Sequence, residues 1–324
     1  MGIYGSETAR QSMNASTLFE TSPIHTPHST IQHSIDIPIA IRTIAAMLRL
    51  CGFADEIGPS IDEQISVCKK VGVTDFELRG VAGKNVLAFD EGLKSEIKEK
   101  LNDAGLGVAC IGSPCGKKAI DTPRAELLDM FKIALSMAQF FNAKLIRVFS
   151  FYPEGGEGKG PIEPVRERSI ELLQAQCELL NGTDITMVHE NERGIFGDTG
   201  ARCLDLMKSV NHSKFRAAYD FANFVQVGED NLKTWPMLKP FTTHIHVKDA
   251  IRSTGEVVPA GEGDGQLGPI IADAYKSGYR GFLSLEPHLK VAGHSHGESG
   301  AELFAVAVQS LREVCKQHGV PLAS

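Results

Sequence analysis

The chain has 324 residues, with 33 lysines and arginines against 40 aspartates and glutamates, which gives a formal net charge of −7. Hydrophobic residues make up 42% and charged residues 23%, values typical of a globular protein. The acidic balance argues against broad binding to nucleic acid or to anionic membranes, since both require a basic surface. The apolar runs are far shorter than the ~20 residues that span a bilayer. We therefore expect neither a nucleic-acid partner nor a membrane partner.

The seven cysteines are scattered along the chain and contain no Cys-x-x-Cys pair. This spacing fits neither a disulfide framework nor a structural zinc site, so we predict reduced thiols in the core. The beginning of the chain also lacks the basic stretch and apolar core of a secretory signal. Together these features predict a cytoplasmic protein.

Residues 1–46 differ in composition from the rest of the chain. Ser, Thr and His dominate the stretch 21–30, and no hydrophobic period is sustained. This composition predicts a flexible N-terminal extension. Alternatively, Met47 is the true initiator, because it opens the first ordered pattern. The predicted domain boundaries are 1–46 for the extension and 47–324 for one folded domain.

From Arg49 onward, short apolar or β-branched runs alternate with helical segments. Such runs are typical of strands that are buried on both faces. Eight strands are predicted, at residues 50–54, 75–79, 107–112, 145–150, 184–190, 216–220, 243–248 and 281–286.

Helix signals fall between these strands. Ser60 and Glu63 have the spacing of a capping box, which starts a helix. Thr122 and Pro123 predict an N-cap followed by proline at the first helical position. That cap leads into a helix at 127–141, and two further helices are predicted at 165–180 and 302–318. The sixth connection, around 228–240, has the weakest helical pattern.

Eight strands that alternate with eight helical connections predict an α/β fold, a single (β/α)8 TIM barrel. An open, doubly wound sheet is the alternative. To hold a dinucleotide, that fold needs a glycine-rich turn after the first strand, whereas residues 55–59 read Asp-Glu-Ile-Gly-Pro. The barrel is therefore the predicted architecture.

Polar residues stand at the ends of most of the predicted strands. In a (β/α)8 barrel these ends meet at the face where active sites lie. The last four strands each contribute one residue of a metal-ligating type: Glu190, Asp220, His246 and Glu286. Three carboxylates and one imidazole suit one divalent ion such as Mn²⁺, Mg²⁺ or Co²⁺, and Zn²⁺ also fits. The alternative is that these are four separate surface or salt-bridged residues.

The order and spacing of these residues resemble the sugar isomerase/epimerase superfamily of xylose-isomerase-like barrels. The resemblance runs from about Arg49 to the C-terminus. Its motifs lie at 52–57, 76–79, 147–150, 190–191, 220, 244–249, 261–263 and 285–286.

This resemblance implies that the four residues bind one divalent metal. It also implies that Glu190 and Glu286 flank the substrate as acid and base, as in ketose 3-epimerases, and that Arg252 contacts the substrate. Two positions depart from the family pattern. Asn223 stands where members often have His, and Phe196 stands where ketose 3-epimerases have Glu. The superfamily also includes isomerases, inosose and dehydroshikimate dehydratases, and endonuclease IV.

Five further residues are candidates for substrate binding: Lys248, His189, Glu77, Arg79 and Arg147. Lys248 would bind a hydroxyl, carboxylate or phosphate, or pair with a ligand carboxylate. His189 would touch substrate or support a ligand. Glu77 and Arg79 would contact substrate or form an ion pair that braces the barrel.

Four more polar residues lie close in sequence to the candidate ligands or have metal-binding side chains. Asn191 and Asp249 are expected to support the ligands from behind. The pair His294 and His296 is expected to lie in a solvated loop, because Gly and Ser surround it.

The predicted function is a divalent-metal-dependent isomerase or epimerase that acts on a keto-sugar or related polyol through a metal-stabilised enediolate. The alternatives are a dehydratase or lyase of inosose or keto-glycoside type, and a noncatalytic sugar-binding barrel. An apurinic-site endonuclease is a further alternative, against which the net charge argues. The expected partner is a small carbohydrate, and a homo-oligomer is compatible with the sequence.

Overall fold

The computed structural model describes residues 47–289 and 299–323. The predicted extension, residues 1–46, lies outside this range, and so do His294 and His296.

Eight parallel strands form a closed barrel, and each strand pairs with the next along the chain. Pairing between the last and first strands closes it, with Leu283 in register with Leu50. The strands are β1 (Arg49–Gly52), β2 (Asp75–Leu78), β3 (Gly107–Ile111), β4 (Leu145–Val148), β5 (Thr186–Glu190), β6 (Phe215–Asp220), β7 (Thr242–Val247) and β8 (Phe282–Leu285). The predicted (β/α)8 barrel and all eight strands are confirmed.

Helices follow the strands and cover the outside of the barrel. They are α1 (Ile61–Val71), α2 (Glu91–Ala104), α3 (Arg124–Phe141), α4 (Arg166–Leu179), α5 (Gly200–Val210), α6 (Phe221–Gln226), α7 (Asn231–Leu238), α8 (Leu267–Lys276) and α9 (Gly300–Gln317). Among the described residues, no helix is long and apolar enough to cross a membrane.

The helix signals in the sequence are mostly borne out. The Ser60 side chain accepts the backbone N–H of Glu63, as the capping box predicts. The predicted cap at Thr122 is wrong: Pro123 is the N-cap, because its ψ of 131° is extended and the helix begins one residue later. The sixth connection holds two short helices, α6 and α7, and Pro236 lies inside the second.

Buried apolar side chains form one main core and several smaller clusters. The main core lies between the strands and the helices, and its largest members include Phe131, Phe304 and Tyr219. Smaller clusters, such as that of Cys110, Val188 and Ala218, also contain strand residues. All seven cysteines are free and buried, as the sequence predicts.

Candidate metal centre

The four predicted ligands come together at the C-terminal end of the barrel. Glu190 and Asp220 are the last residues of β5 and β6, His246 lies near the end of β7, and Glu286 directly follows β8. One ligand atom from each lies within 4.8 Å of the others, and all four residues are buried. Because parallel strands end at the same edge, neighbouring strands bring these side chains together.

The imidazole of His246 faces the three carboxylates through one edge. Its Nδ1 lies 3.4 Å from Glu190 Oε1, 3.6 Å from Glu286 Oε2 and 4.0 Å from Asp220 Oδ2. Despite full burial, both ring nitrogens of His246 and Asp220 Oδ2 make no aligned hydrogen bond to any described residue. Buried polar atoms without such partners are uncommon, and a bound cation is one explanation for them.

Two permanently charged cations lie among the three carboxylates. Arg147 Nη1 lies 3.0 Å from Glu190 Oε2 and 3.7 Å from Glu286 Oε1. The Lys248 ammonium lies 2.9 Å from Asp220 Oδ2 and 3.0 Å from Glu286 Oε2. Lys248 therefore pairs with ligand carboxylates, which is one of its two predicted roles.

The pKa values of Asp220 and Glu190 shift in opposite directions. Burial, only partly offset by Lys248, raises the pKa of Asp220 to about 7. Burial also acts on Glu190, but His246 and Arg147 outweigh it and lower its pKa to about 2. Arg79 is a third cation, 3.4 Å from Glu286 Oε1, so the cations already balance the three carboxylates and the case for a metal rests on the donor atoms. Three carboxylates and one imidazole are ligands that suit a hard or borderline divalent metal.

Amide side chains support the carboxylates from behind. Asn191 forms two hydrogen bonds of 2.9 Å with the backbone N–H and C=O of Asp220. The Asn223 side chain donates to Glu190 Oε1 over 3.2 Å. Its backbone N–H donates to Asp220 Oδ1, and Asp220 thereby caps the N-terminus of α6. Asn223 departs from the family pattern in identity, yet it contacts one ligand through its side chain and another through its backbone.

Asp249 organises the loop that follows β7. Its carboxylate accepts backbone N–H groups from Ala250, Gly261, Gly263 and Gly265 at 2.8–3.1 Å. A Cβ at Gly263 or Gly265 would come within 2.4–2.6 Å of an Asp249 oxygen, so only glycine allows this approach. Asp249 thus holds the same loop on which Arg252 stands.

Arg252 is exposed on that loop, and its backbone N–H donates to Asp264. The structure does not bring its side chain into the buried cluster. A contact between Arg252 and a substrate stays a prediction.

Glu77 and Arg79 do not form the predicted pair with each other. Arg79 bonds to Asp55 over 2.7 Å and lies 3.4 Å from Glu286 Oε1. Glu77 is fully buried and contacts His244, Ser284 and His246. Glu77 and Arg79 have separate partners because closing the barrel brings His244 and His246 of β7 and Ser284 of β8 next to Glu77.

His189 is not part of the site. Its Nε2 lies 3.0 Å from Ser150 Oγ, its ring packs beside Phe215, and Gly197 approaches it closely. Successive strand residues point to opposite faces, so with Glu190 directed inward His189 is directed toward the helices. Burial lowers the pKa of His189 to about 4, which makes it a neutral core histidine.

Two residues at the edge of the cluster were missed as site residues. His288 Nε2 lies 3.4 Å from both Glu286 Oε1 and Glu56 Oε1, and its φ is +44°. Glu56 is buried, and its other oxygen accepts the backbone N–H of His288 and the Ser299 hydroxyl. The available signal for His288 was its position two residues after Glu286, and that for Glu56 was its place in the motif at 52–57.

The chain matches one protein family along most of its length. The family model described as xylose isomerase-like TIM barrel matches residues 65–313, and the chain belongs to this family. A 3-dehydroshikimate dehydratase of Bacillus anthracis is 24% identical over 114 residues, which are 35% of this chain and 39% of that relative's length.

Solved structures show the same fold at low sequence identity. The probable 3-DHS dehydratase AsbF of Bacillus anthracis aligns with a TM-score of 0.64 at 18% identity, over 82% of this chain and 98% of its own. A D-tagatose 3-epimerase-like protein gives a TM-score of 0.67 at 15% identity, over 84% of this chain and 98% of its own. A xylose isomerase-like TIM barrel protein from Mycobacterium smegmatis, in complex with magnesium, gives 0.63 at 16%, over 84% and 97%.

Proposed function

We propose that this chain is a divalent-metal-dependent enzyme that isomerises or epimerises a keto-sugar or related polyol. The observation that supports this most directly is the buried group of Glu190, Asp220, His246 and Glu286, whose ligand atoms lie within 4.8 Å of one another. In this proposal Mn²⁺, Mg²⁺ or Co²⁺ is the resident ion, and Zn²⁺ also suits the donors.

The four residues would hold the ion, which when bound would act as a Lewis acid on a substrate carbonyl. The side chains around it supply the proton transfers. Glu190 is paired with Arg147 and Glu286 with Lys248, so both are held as carboxylates, the form in which a general base accepts a proton.

One glutamate, as a carboxylate, takes the proton from the carbon beside the carbonyl. The other must first take up a proton from solvent and then, as a carboxylic acid, supplies the proton that returns. Return to the opposite face of the same carbon gives an epimer, and return to the neighbouring position gives an isomer. Arg147 lies within 3.7 Å of both glutamates and fixes their relative position. Asn223 orients Glu190 from the far side.

A dehydratase is the second candidate, and the match to a 3-dehydroshikimate dehydratase favours it. Its first step is the same proton removal. The second acid then protonates a departing hydroxyl instead of returning a proton to carbon.

The first test is metal content. The purified chain, loaded with Mn²⁺ and dialysed, should hold about one ion, and free Mn²⁺ at 100 times its Kd should stabilise the fold by about 2.7 kcal/mol. His246→Ala and Asp220→Ala should fold but lose the ion. Full occupancy in both variants would show that these residues are not the ligands.

The second test is a screen of keto-sugars, inososes and oxidised glycosides with Mn²⁺ or Co²⁺ in D₂O. An accepted substrate should gain deuterium at the carbon beside its carbonyl, and the product then separates isomer, epimer and dehydration product. Conversion without solvent deuterium would point to a hydride shift. Metal binding without exchange on any compound would favour a noncatalytic sugar-binding barrel.

A further inference from the structure

A second layer of buried polar groups lies against the ligand set. Glu77 Oε2 accepts a hydrogen bond of 2.6 Å from the Ser284 hydroxyl and lies 2.7 Å from His244 Nε2. Glu77, His244 and Ser284 are all fully buried. Placing a carboxylate inside the barrel is costly unless donors meet it, and here the donors gather at one of its two oxygens, Oε2, while Oε1 has no hydrogen-bond partner among the described residues.

The same oxygen of Glu77 reaches a proposed metal ligand. His246 Nε2 lies 3.2 Å from Glu77 Oε2, while the Nδ1 on the other edge of the ring faces Glu190, Asp220 and Glu286. The imidazole therefore stands between two sets of carboxylates that differ in role. On the Nδ1 side, the three carboxylates offer metal-binding oxygens. On the Nε2 side there is one carboxylate, Glu77, which His244 and Ser284 already hold in place.

The ring of His246 has little freedom to turn. Phe53 packs edge-on against it with ring centroids 5.4 Å apart, and His244 packs in the same manner at 5.2 Å. A histidine ligand binds a metal through a ring nitrogen that carries no proton, and its other nitrogen commonly donates to a carboxylate that fixes the tautomer. Glu77 is the only carboxylate that the described residues place on the Nε2 side of His246.

We infer that Glu77 is a positioning residue that keeps the proton of His246 on Nε2 and so presents Nδ1 to the metal. This inference rests on the proposed function in one respect, the binding of a metal by His246. It replaces the predicted substrate contact of Glu77 with a role that acts through a ligand.

The variant that tests it is Glu77→Gln, which keeps the side-chain volume and exchanges a carboxylate for a weaker acceptor. Ser284→Ala is the matched control, because it removes a hydrogen bond to the same Glu77 oxygen and leaves the Glu77–His246 contact in place. Ser284 also stands in register with His246 on the neighbouring strand, so both variants disturb the same part of the barrel.

Mn²⁺ affinity and urea stability are measured on the wild type and both variants. Glu77→Gln should weaken Mn²⁺ binding about 10- to 100-fold, the usual effect of losing such a carboxylate. Ser284→Ala should change affinity by less than about threefold even where it costs ~1 kcal/mol of stability. A purely structural Glu77 would lower stability in its variant while the affinity stayed at the wild-type value, and that result would overturn the inference.

Histidine ¹⁵N NMR of the Zn²⁺-loaded wild type provides a readout on the unaltered Glu77–His246 contact. The expected spectrum has the His246 proton on Nε2 and the metal on Nδ1, with the resonance assigned by its absence in His246→Asn. A proton on Nδ1 would overturn the inference while the proposed function stood. If the wild type bound neither Mn²⁺ nor Zn²⁺, the proposed function would fail, and with it the need to position His246.

Discussion

The two ends of the barrel contain nearly identical ion pairs in opposite surroundings. Where β6 ends, Asp220 Oδ2 lies 2.9 Å from the Lys248 ammonium, and both side chains are at most 4% exposed. At the opposite end, before β4 and β5 begin, Lys144 lies 2.7 Å from Asp184, and the side chains are 53% and 72% exposed. The two distances alone predict pairs of similar strength, whereas the difference in burial predicts pairs of very different strength.

Water makes the difference between these pairs. It solvates Lys144 and Asp184 whether or not they are paired, so their contact contributes little. It cannot reach Lys248 or Asp220, so removing one partner leaves a buried charge without compensation. The buried pairs of Arg147 and Lys248 with the ligand carboxylates lie at the end of the barrel where chemistry is proposed, and the contrast with the exposed pair can be tested.

The largest effect is expected from the two proposed catalytic carboxylates. Glu190→Gln and Glu286→Gln should each slow the entry of solvent deuterium into the substrate by roughly 10²–10⁴-fold, the contribution of a positioned general base. Metal content is measured beside each rate, because each variant also changes a ligand. Glu302→Gln, an exposed position at the start of α9, is the control and should exchange at the wild-type rate. Wild-type exchange in both metal-loaded site variants would contradict the two-carboxylate mechanism.

Next in size is the loss of the buried cation. In the presence of EDTA, Lys248→Met should lower the free energy of unfolding by about 3–5 kcal/mol, because Asp220 and Glu286 then lie buried without Lys248. Urea unfolding followed by circular dichroism measures this. Adding Mn²⁺ should restore part of the loss, since the ion offsets the same carboxylates.

The exposed pair gives the matched comparison. Lys144→Met should leave the urea midpoint within experimental error of the wild type, at low and at high salt, because solvent already screens the pair. A loss as large as that of Lys248→Met would mean that distance, rather than burial, sets the strength of these pairs.

The smallest effect is expected from residues 1–46, which we propose are dispensable for the barrel. A chain that begins at Met47 should melt cooperatively and bind metal as the full chain does. Insoluble protein or a non-cooperative melt would show that the segment contributes to the folded domain.

The sequence predicted which strands carry the site but not which way every residue faces. Glu190 and His189 are adjacent and both polar, so strand alternation lets only one of them face inward, and the packing of His189 against Ser150 and Gly197 shows that it is the one in the outer layer. The ligand set was recognisable because metal-ligating residue types recur at four successive strand ends. His288 and Glu56 have no repeated pattern of this kind, since each takes its role from the loop that follows β8.

By itself, the sequence determined the eight-strand barrel and the approach of Glu190, Asp220, His246 and Glu286. Periodicity marks the strands, and parallel strands in a closed barrel must end together. Only the tertiary structure decided the partners of the buried charges: Glu77 meets His244, 167 residues away, rather than Arg79, two residues away. The physical reason is that a buried charge is stabilised by whichever donor lies nearest in space, and closing the barrel brings together residues that the chain keeps far apart.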